Sequence, residues 1–269
     1  VALADDEPIP ELAPVSMTGL GYQLDQFEQL ALTHHPTLAQ LSATVNKANA
    51  LRSQVQTYPN PIVGYSAQQL ADRETDQHMA FVQQQIVLGN KLRLNANVLG
   101  HASNAQSWEL EAQRCRVLTD VRLRYYEALV AQERLRLSLR LQRVAEKGVA
   151  EAEQRRALVD ASELLQTEIQ LQEIQVIREQ AKVEFRAAWQ GLAAAAGVPA
   201  MAAPEVADDE QWSALAGQLL PPVLHRDWDA VYSSLITCSP EIQAARGRVQ
   251  QASANLTRQQ AQPIPNLDV

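Results

Sequence analysis

Five His, two Cys and three Met are the side chains in this sequence best suited to holding a metal. His34, His35, His78, His101 and His225 are scattered, and the adjacent His34 and His35 lack the i, i+4 spacing that sets two imidazoles on one helical face. Cys115 and Cys238 have no ligand spacing around them. The methionines are too dispersed for a soft-metal relay. No nucleophile stands in pattern with a base, no glycine-rich loop could cradle a phosphate, and no carboxylates are spaced for acid–base work. The expectation is therefore no catalysis, no cofactor and no metal. One charged cluster has a local logic: Arg155, Arg156, Asp160 and Glu163, set around Leu158-Val159-Asp160-Ala161. Asp160 or Ser162 suits the N-cap of a helix starting there, with Glu163 near its positive end. Leu158, Val159 and Ala161 are small or apolar, which suits either an ordinary turn or the docking of a partner's helical hairpin. Arg155 and Arg156 fit either pairing with acids of a neighbouring helix or plain solvation.

That turn joins two long helices. From Lys91 to Pro199 the sequence holds no Pro. A helix from Lys91 to about Leu158 would be roughly 100 Å long at 1.5 Å per residue, far beyond what a globular core needs. A return helix should run to about Ala196, stopped by Gly197 and Pro199. On it Leu164, Thr167, Leu171, Ile174, Arg178, Ala181, Phe185, Ala188, Leu192 and Ala195 step 3,4 throughout, a heptad seam. A second seam lies beside it: Leu165, Ile169, Gln172, Val176, Glu179 and Val183. Two adjacent seams imply two neighbours, as in a sheet or cylinder of helices. The outgoing helix carries a similar series through Ala105, Trp108, Ala112, Cys115, Leu118, Val121, Tyr125, Ala128, Gln132, Leu135 and Leu139, so Cys115 and the Tyr125–Tyr126 pair read as packed seam residues.

Upstream, residues 1–21 read as an extended lead-in rich in Pro and acids. A short helix begins near Leu24 and breaks at His35-Pro36, and Pro36 opens a second helix that Pro59-Asn60-Pro61 ends. Ile62–Leu70 and Met79–Leu88 flank a charged stretch and read as a strand hairpin, with Val63, Tyr65 and Ala67 on one face and Ser66, Gln68 and Gln84 on the other. Either a soluble edge hairpin or a lipid-facing barrel hairpin gives so weak an alternation. Residues 197–227 read as a Pro- and Ala-rich linker with one short helix near Trp212–Leu219. The net charge of −8 and pI near 5.2 weigh against nucleic acid as a partner. No apolar run of about 18 residues marks a transmembrane helix. The chain opens at Val1 without Met, which reads as processing or trimming.

The chain also repeats itself at an offset of about 204 positions. Asp25 aligns with Asp229, Pro36 with Pro240, Val45 with Val249, Gln56 with Gln260, Pro59 with Pro263 and Pro61 with Pro265, without gaps. The unit is short helix, Pro, helix, Pro-x-Pro, strand, and the expectation is one full repeat plus the opening of another.

The sequence now resembles the TolC-type outer-membrane efflux proteins, most of all their heavy-metal and solvent efflux branch. The resemblance rests on His35-Pro36-Thr37-Leu38, Pro59-Asn60-Pro61, Leu88-Gly89-Asn90-Lys91-Leu92-Arg93, Arg122-Leu123-Arg124-Tyr125-Tyr126-Glu127-Ala128-Leu129 and Glu163-Leu164-Leu165-Gln166-Thr167-Glu168. Asn90 departs from the family's second Gly, and Ala157 stands where many members have Gly. The resemblance implies a mainly α fold of long antiparallel coiled-coil helices with a β-hairpin insertion, an α-helical barrel plus outer-membrane β-barrel in the full-length homotrimer. It divides the chain into a lead-in (1–23), an equatorial helix and first tunnel helix (24–58), a barrel hairpin (59–90), the long helical hairpin (91–196), an equatorial linker (197–235) and a truncated second repeat (236–269). It further implies a passive export conduit in the outer membrane with a periplasmic tunnel. Its partners would be outer-membrane lipid, an inner-membrane transporter, and a periplasmic adaptor docking at Leu158, Val159, Asp160 and Ala161. Arg155, Arg156, Asp160 and Glu163 would then form a tip charge ring or gate. The rival reading is a soluble coiled-coil scaffold or adaptor. For the chain as given, residues 62–88 are expected to be disordered, re-paired with another chain or converted to helix, because a lone hairpin has open edges.

Overall fold

A computed structural model describes residues 21–68, 77–154, 161–206, 212–219 and 227–269. The elements run α1 (Leu24–His34), α2 (Pro36–Gln54), β1 (Ile62–Gln68), β2 (Gln77–Gln83), β3 (Gln85–Ile86), α3 (Lys91–Gln154), α4 (Ala161–Ala195), α5 (Trp228–Cys238), α6 (Pro240–Ala261) and β4 (Leu267–Asp268). Among the described residues no helix is long and apolar enough to cross a membrane. The fold is mainly α, with long helices and a hairpin insertion.

Contacts group the chain into two compact units, one of residues 1–35 and 117–223, the other of 36–116 and 224–269. The first centres on aromatic side chains. Phe27 of α1 is fully buried and meets Trp189 edge-on at 5.9 Å and Tyr125 at 6.0 Å. Burying such a ring contributes about 2 to 3 kcal/mol, and the edge-on geometry adds to it. Tyr22 and Phe185 extend the cluster through Trp189, and Trp212 closes it against Phe185 at 5.2 Å. Gly197 ends the return helix at φ +76°, and a Cβ there would lie 3.0 Å from the backbone of His34 and His35. Only glycine permits both the conformation and that approach to the end of α1.

The second unit sets α6 antiparallel to the first part of α3. Glu109 and Arg116 on α3 meet Arg248 and Glu241 on α6, each pair one heptad from the next. Between them small residues let the backbones close: a Cβ on Gly247 would lie 3.0 Å from that of Ala105. On α2, Asn49 accepts a hydrogen bond from Ser103 of α3 at 2.6 Å. At the entry to α3, Asn90 sits at φ 55°, a left-handed position that Asn tolerates better than most residues. Lys91 then reaches forward to the Ile264 carbonyl and to Asn266 at 3.1 Å.

The repeat is visible in the backbone. The matched offset carries the bounds of α1 onto those of α5, and the Pro36 start of α2 onto the Pro240 start of α6. Thr33 Oγ1 donates to the carbonyls of Gln29 and Leu30, and Thr237 Oγ1 donates to those of Ser233 and Ser234. His35 and Ser239 have nearly the same dihedrals, φ −68° ψ 121° and φ −59° ψ 121°. The environments differ. Phe27 and Ala31 of α1 are buried, whereas α5 buries nothing and leaves Trp228 79% exposed.

Four expectations need correction. Within residues 62–88 the described stretches 62–68 and 77–86 form strands rather than helix. β1 and β2 pair antiparallel in full register from Ile62↔Gln83 to Gln68↔Gln77, and β3 takes β4 as its partner. The open edge next to β3 is met by the chain's own residues 267–269, with Gln84 and Val269 exchanging both backbone bonds at 2.8 and 3.0 Å. Second, Trp212–Leu219 is an extended strap, not a helix. Its backbone groups bond to Tyr22 and to a side chain of α3, which removes the need for an internal ladder. Third, Cys115 is exposed: α6 covers the side of α3 that carries Ala112 and Arg116, and Cys115 lies on the flank. Fourth, only one member of the tyrosine pair is packed; Tyr125 is buried and Tyr126 is 42% exposed.

Candidate functional site

Of the tip residues, Arg155, Arg156, Leu158, Val159 and Asp160 lie outside the described residues, and Ala161 and Glu163 stand in the first turn of α4. Among the described residues no three His, Cys, Asp or Glu gather as a metal site would require. The informative surfaces are therefore the helical hairpin, the strap and the strand hairpin.

The two seams of α4 separate by burial. Ala181, Phe185 and Leu192 of the first are buried against the rest of their unit. The second is exposed along its length, with Leu165 at 58%, Ile169 at 48% and Val183 at 64%. Val176 and Val183 line an open groove of about 820 Å³ with Gln172, Glu179 and Gln180. Glu179 beside it is held below the usual carboxylate range, first by its hydrogen bond from Arg178 and then by Lys182 and Arg186. The helix α3 has a matching surface that the sequence reading overlooked. Leu123, Tyr126, Val130, Leu137, Leu141 and Val144 are all exposed and step 3,4,7,4,3. Counting heptads on α3 outside its buried seam would have found it.

The strap is held by two polar side chains of α3. Gln132, only 1% exposed, accepts from the amides of Ala214 and Leu215 at 2.8 Å and donates to the Leu215 carbonyl at 3.0 Å. Tyr125 donates to the carbonyls of Tyr22 and Ala216. Burial pushes the Tyr125 phenol up to about 12, with Tyr126 and Asp25 adding to the shift. A polar Gln inside an apolar seam was the signal for this latch. Nearby, Glu28 of α1 accepts from Arg122 at 2.6 Å, and that bond raises the guanidinium's pKa further.

On the strand hairpin, register places Val63 opposite Val82, Tyr65 opposite Ala80, and Ala67 opposite His78 on one face. Ile62 with Gln83, Gly64 with Phe81 and Ser66 with Met79 share the other. The Phe81 ring fills the space above Gly64, where a Cβ would lie 2.1 Å from it.

No protein-family model and no curated protein matches the chain. Solved structures do. A membrane protein from Pseudomonas aeruginosa superposes with a TM-score of 0.68 at 17% identity, covering 91% of this chain and 58% of that one. The outer-membrane channel OprN gives 0.65 at 19% identity, covering 91% and 57%. The Neisseria gonorrhoeae outer membrane channel MtrE gives 0.61 at 17% identity, covering 96% and 60%. The fold is that of the TolC-type outer-membrane channels. The present chain spans somewhat under two thirds of the length of each. Within the TolC-type fold it supplies two short helix–helix units, a strand hairpin and one long helical hairpin.

Proposed function

We propose that the protein containing this chain is an outer-membrane channel of a tripartite efflux pump, a passive conduit that catalyses no reaction. The repeat carries the reading: α1–α2–β1 recurs as α5–α6–β4, with the bounds of α1 matched by α5, the Pro36 start of α2 by the Pro240 start of α6, and the hydrogen bonds of Thr33 by those of Thr237. Such a duplication yields two strand hairpins and two helical hairpins per subunit, and three subunits would close both into barrels. The exposed seams of α3 and α4 support the same reading, because each offers an apolar stripe of coiled-coil spacing to a neighbour. The run from Gln77 to Ile86 supports it too, being about ten residues, the length a tilted transmembrane strand requires.

In this reading the turn between α3 and α4 is the periplasmic tip. Leu158, Val159, Asp160 and Ala161 dock the adaptor, and Arg155, Arg156, Asp160 and Glu163 line the closed end as a charge ring. An inner-membrane transporter supplies the energy. Planar-bilayer recording on the full-length gene product tests this. Stepwise conductance that grows when tip charges are neutralised is expected. A protein that stays in buffer as a monomer or dimer, without conductance, would instead identify a coiled-coil scaffold.

A further inference from the structure

The hairpin faces differ in a way that depth in a membrane would demand. Among its cross-strand pairs the face of Val63 and Val82 carries no side-chain amide, and its polar residues are Tyr65 and, toward the far end, His78. There Tyr65 and His78 stack at 6.0 Å with rings 16° apart, and the phenol and Nδ1 share a hydrogen bond of 2.5 Å. That bond satisfies the phenol and Nδ1 together, which lowers the cost of bringing the pair to an apolar boundary, and Nε2 is the atom that still requires a polar partner there. On the opposite face three cross-strand pairs couple an apolar residue with a polar one or a glycine, Ile62 with Gln83, Phe81 with Gly64 and Met79 with Ser66, and the fourth, Gln68 with Gln77, is polar on both strands. Placing Gln83 and Ser66 in hydrocarbon would cost their unmet hydrogen bonds. Val63, Tyr65 and Val82 are between 66 and 75% exposed, so nothing within the chain covers this face.

We propose that the face carrying Val63, Tyr65, Ala67, His78, Ala80 and Val82 is the one that meets lipid acyl chains. The Tyr65–His78 pair marks the headgroup boundary at the loop end, and Ser66 and Gln83 face the water-filled side. This rests on the outer-membrane reading above and adds to it an orientation for the hairpin. An aromatic ring with a polar tip is stable at such a boundary because the ring enters the apolar layer while the tip stays near water.

Site-directed spin labelling of the full-length protein in phosphatidylcholine vesicles tests the orientation. With Cys115 and Cys238 replaced by Ser, single labels are placed through Val63→Cys, Val82→Cys, Ser66→Cys and Gln83→Cys. Collision with dissolved oxygen should dominate at 63 and 82, and collision with a water-soluble nickel chelate at 66 and 83. The reverse pattern would overturn the orientation while leaving a membrane-inserted hairpin. Nickel access at all four would overturn the orientation and the outer-membrane reading together. As a check that needs no label, Val82→Trp and Phe81→Trp are compared in vesicles of brominated lipid. Added quenching is expected at 82 and not at 81, and equal quenching at both would count against the proposal.

Discussion

Gln132 grips Leu215 from both ends: its Oε1 accepts from the Leu215 amide at 2.8 Å, and its Nε2 donates to the Leu215 carbonyl at 3.0 Å. The same oxygen holds the amide of Ala214. One side chain thus does for the strap what a neighbouring strand would do. Gln132→Leu keeps most of the volume and strands these buried groups, so a loss of about 2 to 4 kcal/mol is expected. Urea denaturation measures it. Hydrogen exchange should show the amides of Ala214 and Leu215 losing protection first.

Tyr125 makes the same region sensitive to alkali. Its phenol ionises near pH 12 in the fold and near 10 when unfolded, so the unfolded chain loses its proton first as the pH rises. The stabilisation is complete below pH 10 and is lost between 10 and 12, on the order of 2 kcal/mol. Denaturation at pH 8 and at pH 11.5 should give a larger drop for the native chain than for Tyr125→Phe, which lacks the ionising group.

Two glycines should respond oppositely to the same change. Gly197→Ala puts a Cβ at φ +76° and 3.0 Å from the backbone of α1, and a loss of about 2 kcal/mol or more follows. Gly148→Ala meets nothing within 4 Å inside α3 and should gain up to about 1 kcal/mol from helix propensity. Thermal unfolding of the two variants checks the signs.

The exposed seam of α4 separates folding from assembly. Val176→Glu, at a site 58% exposed, should leave the unfolding curve within about 0.5 kcal/mol of the native one. On the proposed reading of the protein as a trimeric channel it should reduce assembly, read by light scattering in detergent. An unchanged trimer would place the intersubunit contact elsewhere.

Exposure limits the α3–α6 ion pairs. Arg116 and Glu241 are each more than 60% exposed, so a double-mutant cycle should yield at most about 1 kcal/mol, falling further in 1 M salt.

Much of this was legible in the residues because it depends on spacing. Pro36 and Pro240 fix where helices break, and the 3,4 steps of α4 separate a buried from an exposed stripe whatever the partner. Spacing names faces and does not name what covers them. Cys115 sits in the right step of the α3 series yet lies exposed, since α6 approaches α3 from the side of Ala112 and Arg116. The strap escaped for a related reason. Ser213, Ala214 and Leu215 suit a helix locally, and groups distant in sequence, the Gln132 amide, the Tyr125 phenol and the backbone of Tyr22, hold the strap extended. The tip residues, named from composition and from the family resemblance, are the part of the reading that rests on sequence alone.

The matched short helices carry one last consequence. Where α1 has Phe27 and Ala31, α5 has Val231 and Leu235. Bulk has moved one turn along an otherwise superposable helix. A socket shaped to Phe27 would be left hollow by Val231 and crowded by Leu235. The two helices are therefore not interchangeable, and a chain carrying α5 in place of α1 would lose the contacts that Phe27 makes with Trp189 and Tyr125 despite the shared helix bounds.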